Sequence, residues 1–365
     1  MIRGKTKLAP GERIRALVVD DSVIIRRLVT HALGEDPNVE VVGSAANGSI
    51  ALKMIPLTRP HVVTLDIEMP EMDGLETLRH IRKLHPELIV IMFSTLSERG
   101  AAVTLEALTL GANDYVTKAA NSGSLDQSMA RLRGELVPKF KQFFLLGPDE
   151  AIAPSKPASN GLVTPARPAV RTGKPRMACQ AVVIGVSTGG PPALATIMPM
   201  FPANFQQPVF IVQHMPPVFT RLLAERLQTL TKLRVHEATQ GMVVEGGNVY
   251  IAPGDYHMRI ARKGTGIITT LDQSEQENSC RPAVDVMFRS AADVYGGSAI
   301  AVILTGMGRD GLRGIERLRA EGSYVVAQDE ASSVVWGMPG AVVGAGLADS
   351  IVDLKCIVPE IQRHL

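Results

Sequence analysis

Short apolar runs alternate with longer segments of helical periodicity along residues 14–142 of the chain. Runs that are almost wholly apolar are typical of parallel strands buried on both faces, with helices returning the chain between them. The pattern therefore predicts a βα repeat around a parallel sheet. The predicted strands cover residues 14–19, 39–43, 61–65, 88–93 and 114–117, and the predicted helices include residues 74–84 and 98–110.

The alternation stops in residues 144–177, where prolines recur among alanine, glycine, serine and basic residues. A segment of this composition cannot bury a core, so we expect a semi-extended linker. The α/β pattern then resumes, and the turn signal Pro253-Gly254-Asp255 between two short apolar runs predicts an antiparallel hairpin in a mixed sheet. We therefore expect two doubly wound α/β domains, at residues 13–143 and 178–365.

The composition is that of an ordinary globular protein, with 365 residues of which 45% are hydrophobic and 20% charged. A net charge of +2 and an aromatic content of 4% argue against a nucleic-acid partner. Cys179, Cys280 and Cys356 lack metal-ligand spacing, so we expect packing residues in a reducing compartment. No apolar run is long enough to span a bilayer, so we expect a cytoplasmic protein without direct membrane insertion.

A glycine-flanked serine follows the first apolar run of the second domain. Ser187 lies between Gly185 and Gly189, which matches the Gly-x-Ser-x-Gly elbow that lifts a nucleophilic hydroxyl above a strand-to-helix turn. Pro191 fits the first turn of a helix, whose free N–H groups favour developing negative charge. A glycine-rich phosphate loop or a simple tight turn would produce the same local pattern.

Two further apolar runs of the second domain end on residues that would complete a serine hydrolase site. His214 ends one run, and Asp310 lies in the glycine-rich loop after another. Ligands of open parallel sheets bind at the carboxyl ends of the strands, where both residues and Ser187 lie. A serine needs a base to take its proton and a carboxylate to orient that base. The glycines around Met307 would let backbone N–H groups approach an oxyanion.

Two other classes of function fit parts of the same pattern. A dinucleotide site also has glycines after a strand, but Ser187 stands where its fingerprint has a second glycine. That fingerprint also needs an acid about 20 residues further on, and His214 ends the second strand instead. The second domain could alternatively be a non-catalytic binding module. The order Ser, His, Asp differs from the order in α/β-hydrolases, so the elbow does not indicate a lipase-like enzyme.

Polar residues also end the strands of the first domain. Asp20 and Asp21 follow the first predicted strand, Asp66 follows the third, Ser94 ends the fourth and Lys118 ends the fifth. Three converging carboxylates repel one another unless a hard cation such as Mg²⁺ lies between them. We therefore predict a site where Asp66 attacks a phosphoryl donor while Lys118 and the Ser94 hydroxyl contact the phosphoryl oxygens.

These motifs resemble two known families. The first domain resembles the receiver domain of two-component response regulators, which implies a flavodoxin-like fold. The second resembles the chemotaxis protein-glutamate methylesterases of the CheB family, which implies a Rossmann-like, mainly parallel sheet with an antiparallel hairpin. The motifs that carry the second resemblance are Ile-Gly-Val-Ser-Thr-Gly-Gly, Gln-His-Met-Pro-Pro, Tyr-Ile-Ala-Pro-Gly-Asp, Arg-Pro-Ala-Val-Asp-Val-Met-Phe and Ile-Leu-Thr-Gly-Met-Gly-x-Asp-Gly.

The resemblance implies a role for each residue of the second site. Ser187 would be the nucleophile, His214 the general base and Asp310 the group that orients the histidine. The backbone N–H of Met307 would contribute to the oxyanion hole, and Thr188 would line the site. No cofactor would be needed there.

In the first domain, the resemblance implies that Asp66 is phosphorylated. Asp20 and Asp21 would hold Mg²⁺ together with Asp66 and the carbonyl oxygen of Glu68. One departure from the receiver pattern concerns Ala119, which follows Lys118 where receivers usually have proline.

The resemblance also implies substrates and partners. The substrate would be a glutamate methyl ester on the cytoplasmic domain of a chemoreceptor, and the products would be glutamate and methanol. Receptor glutamines would be deamidated at the same site. A chemotaxis histidine kinase would donate the phosphoryl group, and phosphorylation would regulate the hydrolase during adaptation.

Overall fold

The computed structural model describes residues 8–9, 11–118, 125–144 and 178–365. Ala119 and almost all of the predicted linker lie outside these residues. The chain forms two compact units, one up to Thr164 and one from Pro165, and each is described separately below as the first and the second unit. Within the described residues, no helix is both long enough and apolar enough to cross a membrane.

The first unit is built on a five-stranded parallel sheet with the order β2-β1-β3-β4-β5. This order is that of flavodoxin-like folds, as predicted. Every predicted strand is present, with bounds that differ by no more than two residues. The strands are β1 (Ile14–Val19), β2 (Val39–Ala45), β3 (Val62–Asp66), β4 (Ile89–Ser94) and β5 (Asp114–Thr117). The helices are α1 (Val23–Gly34), α2 (Gly48–Thr58), α3 (Gly74–Leu84), α4 (Glu98–Thr109) and α5 (Leu125–Gln142).

Polar side chains close to the carboxyl edge of this sheet cap the N-termini of four of its helices. Ser22, Asn47, Asp73 and Ser97 each accept a hydrogen bond from a backbone N–H in the first turn of the helix that follows. Such caps satisfy amides that have no partner within the helix and are typically worth about 1 kcal/mol each. The turns between strand and helix are therefore held locally, and they present the acidic residues at one edge.

The second unit is built on a seven-stranded parallel sheet with the order β14-β13-β12-β6-β7-β9-β8 and a separate antiparallel hairpin of β10 and β11. A mainly parallel sheet with a hairpin confirms the predicted fold class. The strands are β6 (Ala181–Val186), β7 (Val209–Gln213), β8 (Arg234–Glu237), β9 (Asn248–Ile251), β10 (His257–Lys263), β11 (Gly266–Asp272), β12 (Ala299–Ile303), β13 (Tyr324–Gln328) and β14 (Ser350–Val352). The helices are α6 (Gly190–Ile197), α7 (Phe219–Gln228), α8 (Val284–Tyr295), α9 (Leu312–Glu321), α10 (Met338–Gly344) and α11 (Ile357–Gln362).

The position predicted for the hairpin turn is wrong. Strand β9 pairs in parallel with β7 and β8, while β10 pairs with β11 across Gly264, which has a φ of +62°. The segment Pro253-Gly254-Asp255 leaves the sheet instead of reversing within it, and the Gly254 N–H donates to Thr220 Oγ1 at 3.0 Å. A proline-glycine pair marks a change of direction, but the strands that pair are decided by contacts distant in sequence.

Helix α8 links the hairpin to the large sheet, because it packs on β10, on α9 and on β6. Its apolar side chains are buried, including Val284, Met287 and Phe288. The hairpin therefore covers α8, and the sheet and hairpin together fix the position of the first turn of α8.

The elbow after β6 depends on a glycine that no other residue replaces easily. Gly189 has a φ of +78°, and an added Cβ would lie 2.6 Å from Val334 Cβ. Gly241 has a similar φ of +75° but open space where its Cβ would be. A side chain at Gly241 would therefore meet backbone strain alone, whereas a side chain at Gly189 would meet both backbone strain and steric overlap.

We predict that Gly189→Ala destabilises the second unit by about 2–4 kcal/mol, because overlap adds to a left-handed backbone strain of about 1–2 kcal/mol. Gly241→Ala should show the strain alone. Denaturant unfolding followed by the fluorescence of Trp336, the one tryptophan of the chain, reports on this unit. Equal destabilisation by the two substitutions would contradict the packing of the elbow.

Candidate active site

Ser187 follows β6 at a tight turn into α6. Its N–H donates to the Thr305 carbonyl at 3.0 Å, and its own carbonyl accepts from the Gly190 N–H at 2.8 Å. The loop after β12 approaches so closely that a Cβ on Gly306 would lie 2.8 Å from Ser187 Cβ. The half-buried serine is therefore fixed between two loops at the carboxyl edge of the sheet, as the elbow motif predicts.

Gln213 is a structural partner of Ser187 that the sequence analysis missed. This buried amide donates from Nε2 to the Ser187 carbonyl at 3.0 Å and to the His214 carbonyl at 3.2 Å. One side chain thus joins the turns that carry the two predicted catalytic residues. A polar residue at the end of an otherwise apolar strand was the available signal, since a buried amide needs hydrogen-bond partners.

His214 and Asp310 are in direct contact, as their predicted roles require. The His214 N–H donates to the Val186 carbonyl at 3.3 Å, which places the histidine beside the end of β6. His214 Nε2 lies 2.8 Å from Asp310 Oδ2. An ionised carboxylate can only accept, so Nε2 carries the proton and Nδ1 is the nitrogen free to act as a base.

Asp310 also caps the N-terminus of α8. Its carboxylate accepts from the backbone N–H groups of Val284 at 2.6 Å and Asp285 at 3.0 Å, and from Asn278 Nδ2 at 2.8 Å. Burial alone would raise the pKa of Asp310, but the His214 hydrogen bond and charge and these amides together lower it. The carboxylate is thus ionised, and it satisfies helix amides that would otherwise lack partners.

His214 Nδ1 contacts a thiol. Cys280 Sγ lies 3.6 Å from Nδ1. Among the described residues, no hydrogen bond joins His214 to the Ser187 hydroxyl. Burial would lower the pKa of His214, but Cys280 and Asp310 outweigh burial and raise it to about 10.

The expectation that all three cysteines are packing residues therefore holds only for Cys179, which is buried. It is wrong for Cys356, which is exposed, and for Cys280, which is half-buried and contacts the His214 ring. The position of Cys280, just before the Arg-Pro-Ala-Val-Asp segment that enters α8, was the only signal in the sequence.

The loop after β12 offers a backbone donor close to the serine. Within the described part of the chain, the Met307 N–H makes no hydrogen bond, and the next residue, Gly308, has a φ of +79°. The Thr188 carbonyl accepts from Thr305 Oγ1 at 2.9 Å, so Thr188 is tied to the same loop. The geometry is compatible with the roles predicted for Met307 and Thr188, which stay predictions.

The first unit brings its acidic residues together. Oxygen atoms of Asp20, Asp21 and Asp66 lie within 4.8 Å of one another, with Asp20 and Asp66 buried and Asp21 exposed. Lys118 Nζ lies 3.0 Å from Asp20 Oδ2 and 2.7 Å from Asp66 Oδ1. Asp66 Oδ1 also accepts from the Ile67 N–H at 2.8 Å.

The electrostatics of this cluster suit a divalent cation. Burial raises the pKa of Asp66 to about 6, with Lys118 acting to lower it and Asp20 to raise it. Asp20 Oδ2 is buried and, among the residues that the structure describes, accepts no well-oriented hydrogen bond, although it lies near Lys118. The cluster opens into a cavity of about 230 Å³ that Glu68 also lines. An oxygen-only donor set beside a small cavity fits Mg²⁺.

The structure places Ser94 beside this site but turned toward helix α4. Its hydroxyl donates to the Gly100 carbonyl at 3.1 Å and accepts from Thr104 Oγ1 at 2.7 Å. The Lys118 N–H donates to the Ser94 carbonyl at 2.6 Å, so the two residues are joined through the backbone. The contact of the Ser94 hydroxyl with a phosphoryl group stays a prediction.

Comparisons with known proteins agree with both resemblances. Residues 182–361 match the CheB methylesterase model and residues 16–130 match the response regulator receiver domain model. A protein-glutamate methylesterase/protein-glutamine glutaminase of Trichodesmium erythraeum is 48% identical over 97% of this chain and 99% of its own length. One of Nocardioides sp. is 48% identical over 98% of this chain and 96% of its own length.

A solved structure agrees as well. The CheB methylesterase catalytic domain of Thermotoga maritima is 43% identical and has a TM-score of 0.51, and the match covers 52% of this chain and all of that domain. The chain therefore belongs to the CheB methylesterase family and carries a response regulator receiver domain before its methylesterase domain.

Proposed function

We propose that this chain hydrolyses glutamate methyl esters on the cytoplasmic domain of a chemoreceptor, by a serine mechanism that phosphorylation of its receiver domain regulates. Relatives of nearly the same length carry the name protein-glutamate methylesterase/protein-glutamine glutaminase. The observation that carries the mechanism is the 2.8 Å contact of His214 Nε2 with Asp310, beside the end of strand β6, which Ser187 follows.

In the first half of the reaction, Ser187 attacks the ester carbonyl while His214 Nδ1 accepts the hydroxyl proton. The Met307 N–H stabilises the oxyanion of the tetrahedral intermediate, and Thr188 lines the site. His214 then donates its proton to the leaving methoxide, so that methanol departs and a glutamyl ester of Ser187 remains.

In the second half, water loses a proton to His214 and attacks this ester, which releases glutamate and restores Ser187. A receptor glutamine follows the same steps with ammonia in place of methanol. Only a neutral imidazole accepts a proton, and Cys280 and Asp310 hold the pKa of His214 above its usual value. Ester hydrolysis is therefore expected to increase as pH rises.

We propose that the receiver cluster accepts a phosphoryl group from a chemotaxis histidine kinase. Asp66 attacks the phosphorus atom, and the acyl phosphate forms as the phosphohistidine bond breaks. Asp20, Asp21, Asp66 and the Glu68 carbonyl would hold Mg²⁺, which neutralises charge on the phosphoryl oxygens when it is bound. Lys118 supplies a second positive charge.

Regulation follows from the charge that the acyl phosphate adds near β4. The Ser94 hydroxyl, which now donates to the Gly100 carbonyl, ends the strand next to the one that ends at Asp66, and in our proposal it exchanges this partner for a phosphoryl oxygen. Such an exchange would shift the first turn of α4 and change the surface of the receiver. We propose that this change raises esterase activity.

The serine mechanism predicts that Ser187→Ala lowers methanol release from methylated receptor membranes by more than about a thousandfold, because the substitution removes the nucleophile. Phosphorylation of Asp66 by a small phosphodonor should continue at the normal rate in this variant, since Asp66 lies in the other unit, and unchanged Trp336 fluorescence should show that the second unit is folded. Methanol release at even a tenth of the wild-type rate would refute a serine nucleophile.

The raised pKa of Asp66 predicts that protons compete with Mg²⁺ at this site. A carboxyl with a pKa of about 6 is mostly protonated at pH 5.5 and ionised at pH 7.5, so calorimetry should show affinity about fourfold weaker at the lower pH. Asp66→Asn should bind Mg²⁺ weakly without this dependence, and it should lose both phosphate incorporation and the response of the esterase to phosphodonor. Equal Mg²⁺ affinity of the wild-type protein at both pH values would contradict the assignment.

A further inference from the structure

The catalytic base has a second possible partner. Asp310 occupies Nε2 of His214, and the group that faces Nδ1 is the thiol of Cys280 at 3.6 Å. A nucleophile, a base and a carboxylate that orients the base are therefore aligned through Cys280. A thiol whose proton an imidazole can accept reacts as a thiolate, which is the nucleophilic form of cysteine.

The backbone holds Cys280 in this position. Its N–H donates to the Glu277 carbonyl at 2.9 Å, and its carbonyl accepts from the Glu277 N–H at 3.2 Å. Between them, Asn278 and Ser279 have φ values of +53° and +59°. Asn278 Nδ2 donates to Asp310 Oδ1 at 2.8 Å, which ties this turn to the carboxylate that also holds His214.

Cys280 differs from the other two cysteines in the groups that its thiol contacts and in its exposure to solvent. Cys179 is buried, its thiol donates to the Ala181 carbonyl at 3.4 Å, and burial raises its pKa to about 11. Cys356 is exposed, and in the described part of the chain its thiol has no hydrogen-bond partner. Cys280 alone is both partly exposed and in contact with a histidine. The chain thus contains a buried and an exposed control for the reactivity of Cys280.

We propose that Cys280 is a thiol oxidised by hydroperoxides, and that its oxidation stops ester hydrolysis because it shares His214 with Ser187. His214 Nδ1 accepts the thiol proton, and the sulfur attacks one peroxide oxygen. The O–O bond breaks, an S–O bond forms, and the departing hydroxide takes a proton to become water. The sulfur loses two electrons to the peroxide, and Cys280 becomes a sulfenic acid.

The oxidised sulfur obstructs the base. The sulfenic hydroxyl is a stronger donor than a thiol, and it lies where it can occupy His214 Nδ1 in place of the Ser187 hydroxyl. A small thiol reverses the change, first forming a disulfide with Cys280 and releasing water, and a second thiol then frees Cys280 by exchange. The inhibition rests on the proposed role of His214 as base, whereas the oxidation of Cys280 does not.

The first test measures oxidation without using activity. The full chain is treated with hydrogen peroxide in the presence of dimedone, which traps sulfenic acids, and peptide mass spectrometry gives the labelling rate of each cysteine. We expect Cys280 to be labelled at least about tenfold faster than Cys356. His214→Gln should lower the rate at Cys280 to that of Cys356 and leave Cys356 unchanged. Equal rates at the two cysteines, or no effect of His214→Gln, would overturn the proposal.

The second test measures methanol release after peroxide treatment, relative to the same variant untreated. Cys356→Ser should lose most of its activity and regain it with dithiothreitol, while Cys280→Ser should keep the rate it had before treatment. An equal loss in Cys280→Ser would assign the inhibition to another residue, such as the exposed Met307, and would overturn the link to Cys280. Failure of the serine mechanism would appear separately, as methanol release by untreated Ser187→Ala.

Discussion

One buried carboxylate organises the hydrolase site. Asp310 accepts hydrogen bonds from His214, from the first two amides of α8 and from Asn278. Burying an ion without partners would cost several kcal/mol, so this arrangement is stable only because each donor is present. The positive end of the α8 dipole adds to the same stabilisation. The residue that we propose to orient the base therefore also caps the helix that joins the hairpin to the sheet.

The ionised Asp310 fixes which nitrogen of His214 is available to accept a proton. With Nε2 donating to the carboxylate, Nδ1 is left to accept a proton, and the thiol of Cys280 lies 3.6 Å from it. The proposed serine mechanism and the proposed sensitivity to oxidation thus both depend on the contact between His214 Nε2 and Asp310. In the receiver, Lys118 has the comparable position, because it bridges Asp20 and Asp66 where a cation and a phosphoryl group would bind.

The sequence predicted well what depends on local pattern. The strands and their carboxyl ends followed from apolar runs, and the elbow at Ser187 followed from the spacing of glycines. The local pattern did not predict which strands pair, or which side chains meet, when they are distant in sequence. The turn signal at Pro253 did not show that β9 and β10 belong to different sheets, and the contact of Cys280 with His214 joins residues 66 positions apart. Asn278 and Asp285 were missed for the same reason, since their partners are known only once the chain has folded.

The most direct test compares two buried aspartates. Asp285 is as buried as Asp310, and it accepts from the Gly314 N–H at 2.7 Å and from Asn278 at 3.0 Å without touching His214. Methanol release by full-length Asp310→Asn should fall by about a thousandfold or more, because an amide cannot hold the required tautomer of His214. Asp285→Asn should keep activity within about tenfold, with Trp336 fluorescence showing that both variants are folded. Similar losses in the two variants, or near-normal release by Asp310→Asn, would contradict the assignment of Asp310 as the residue on which the site depends.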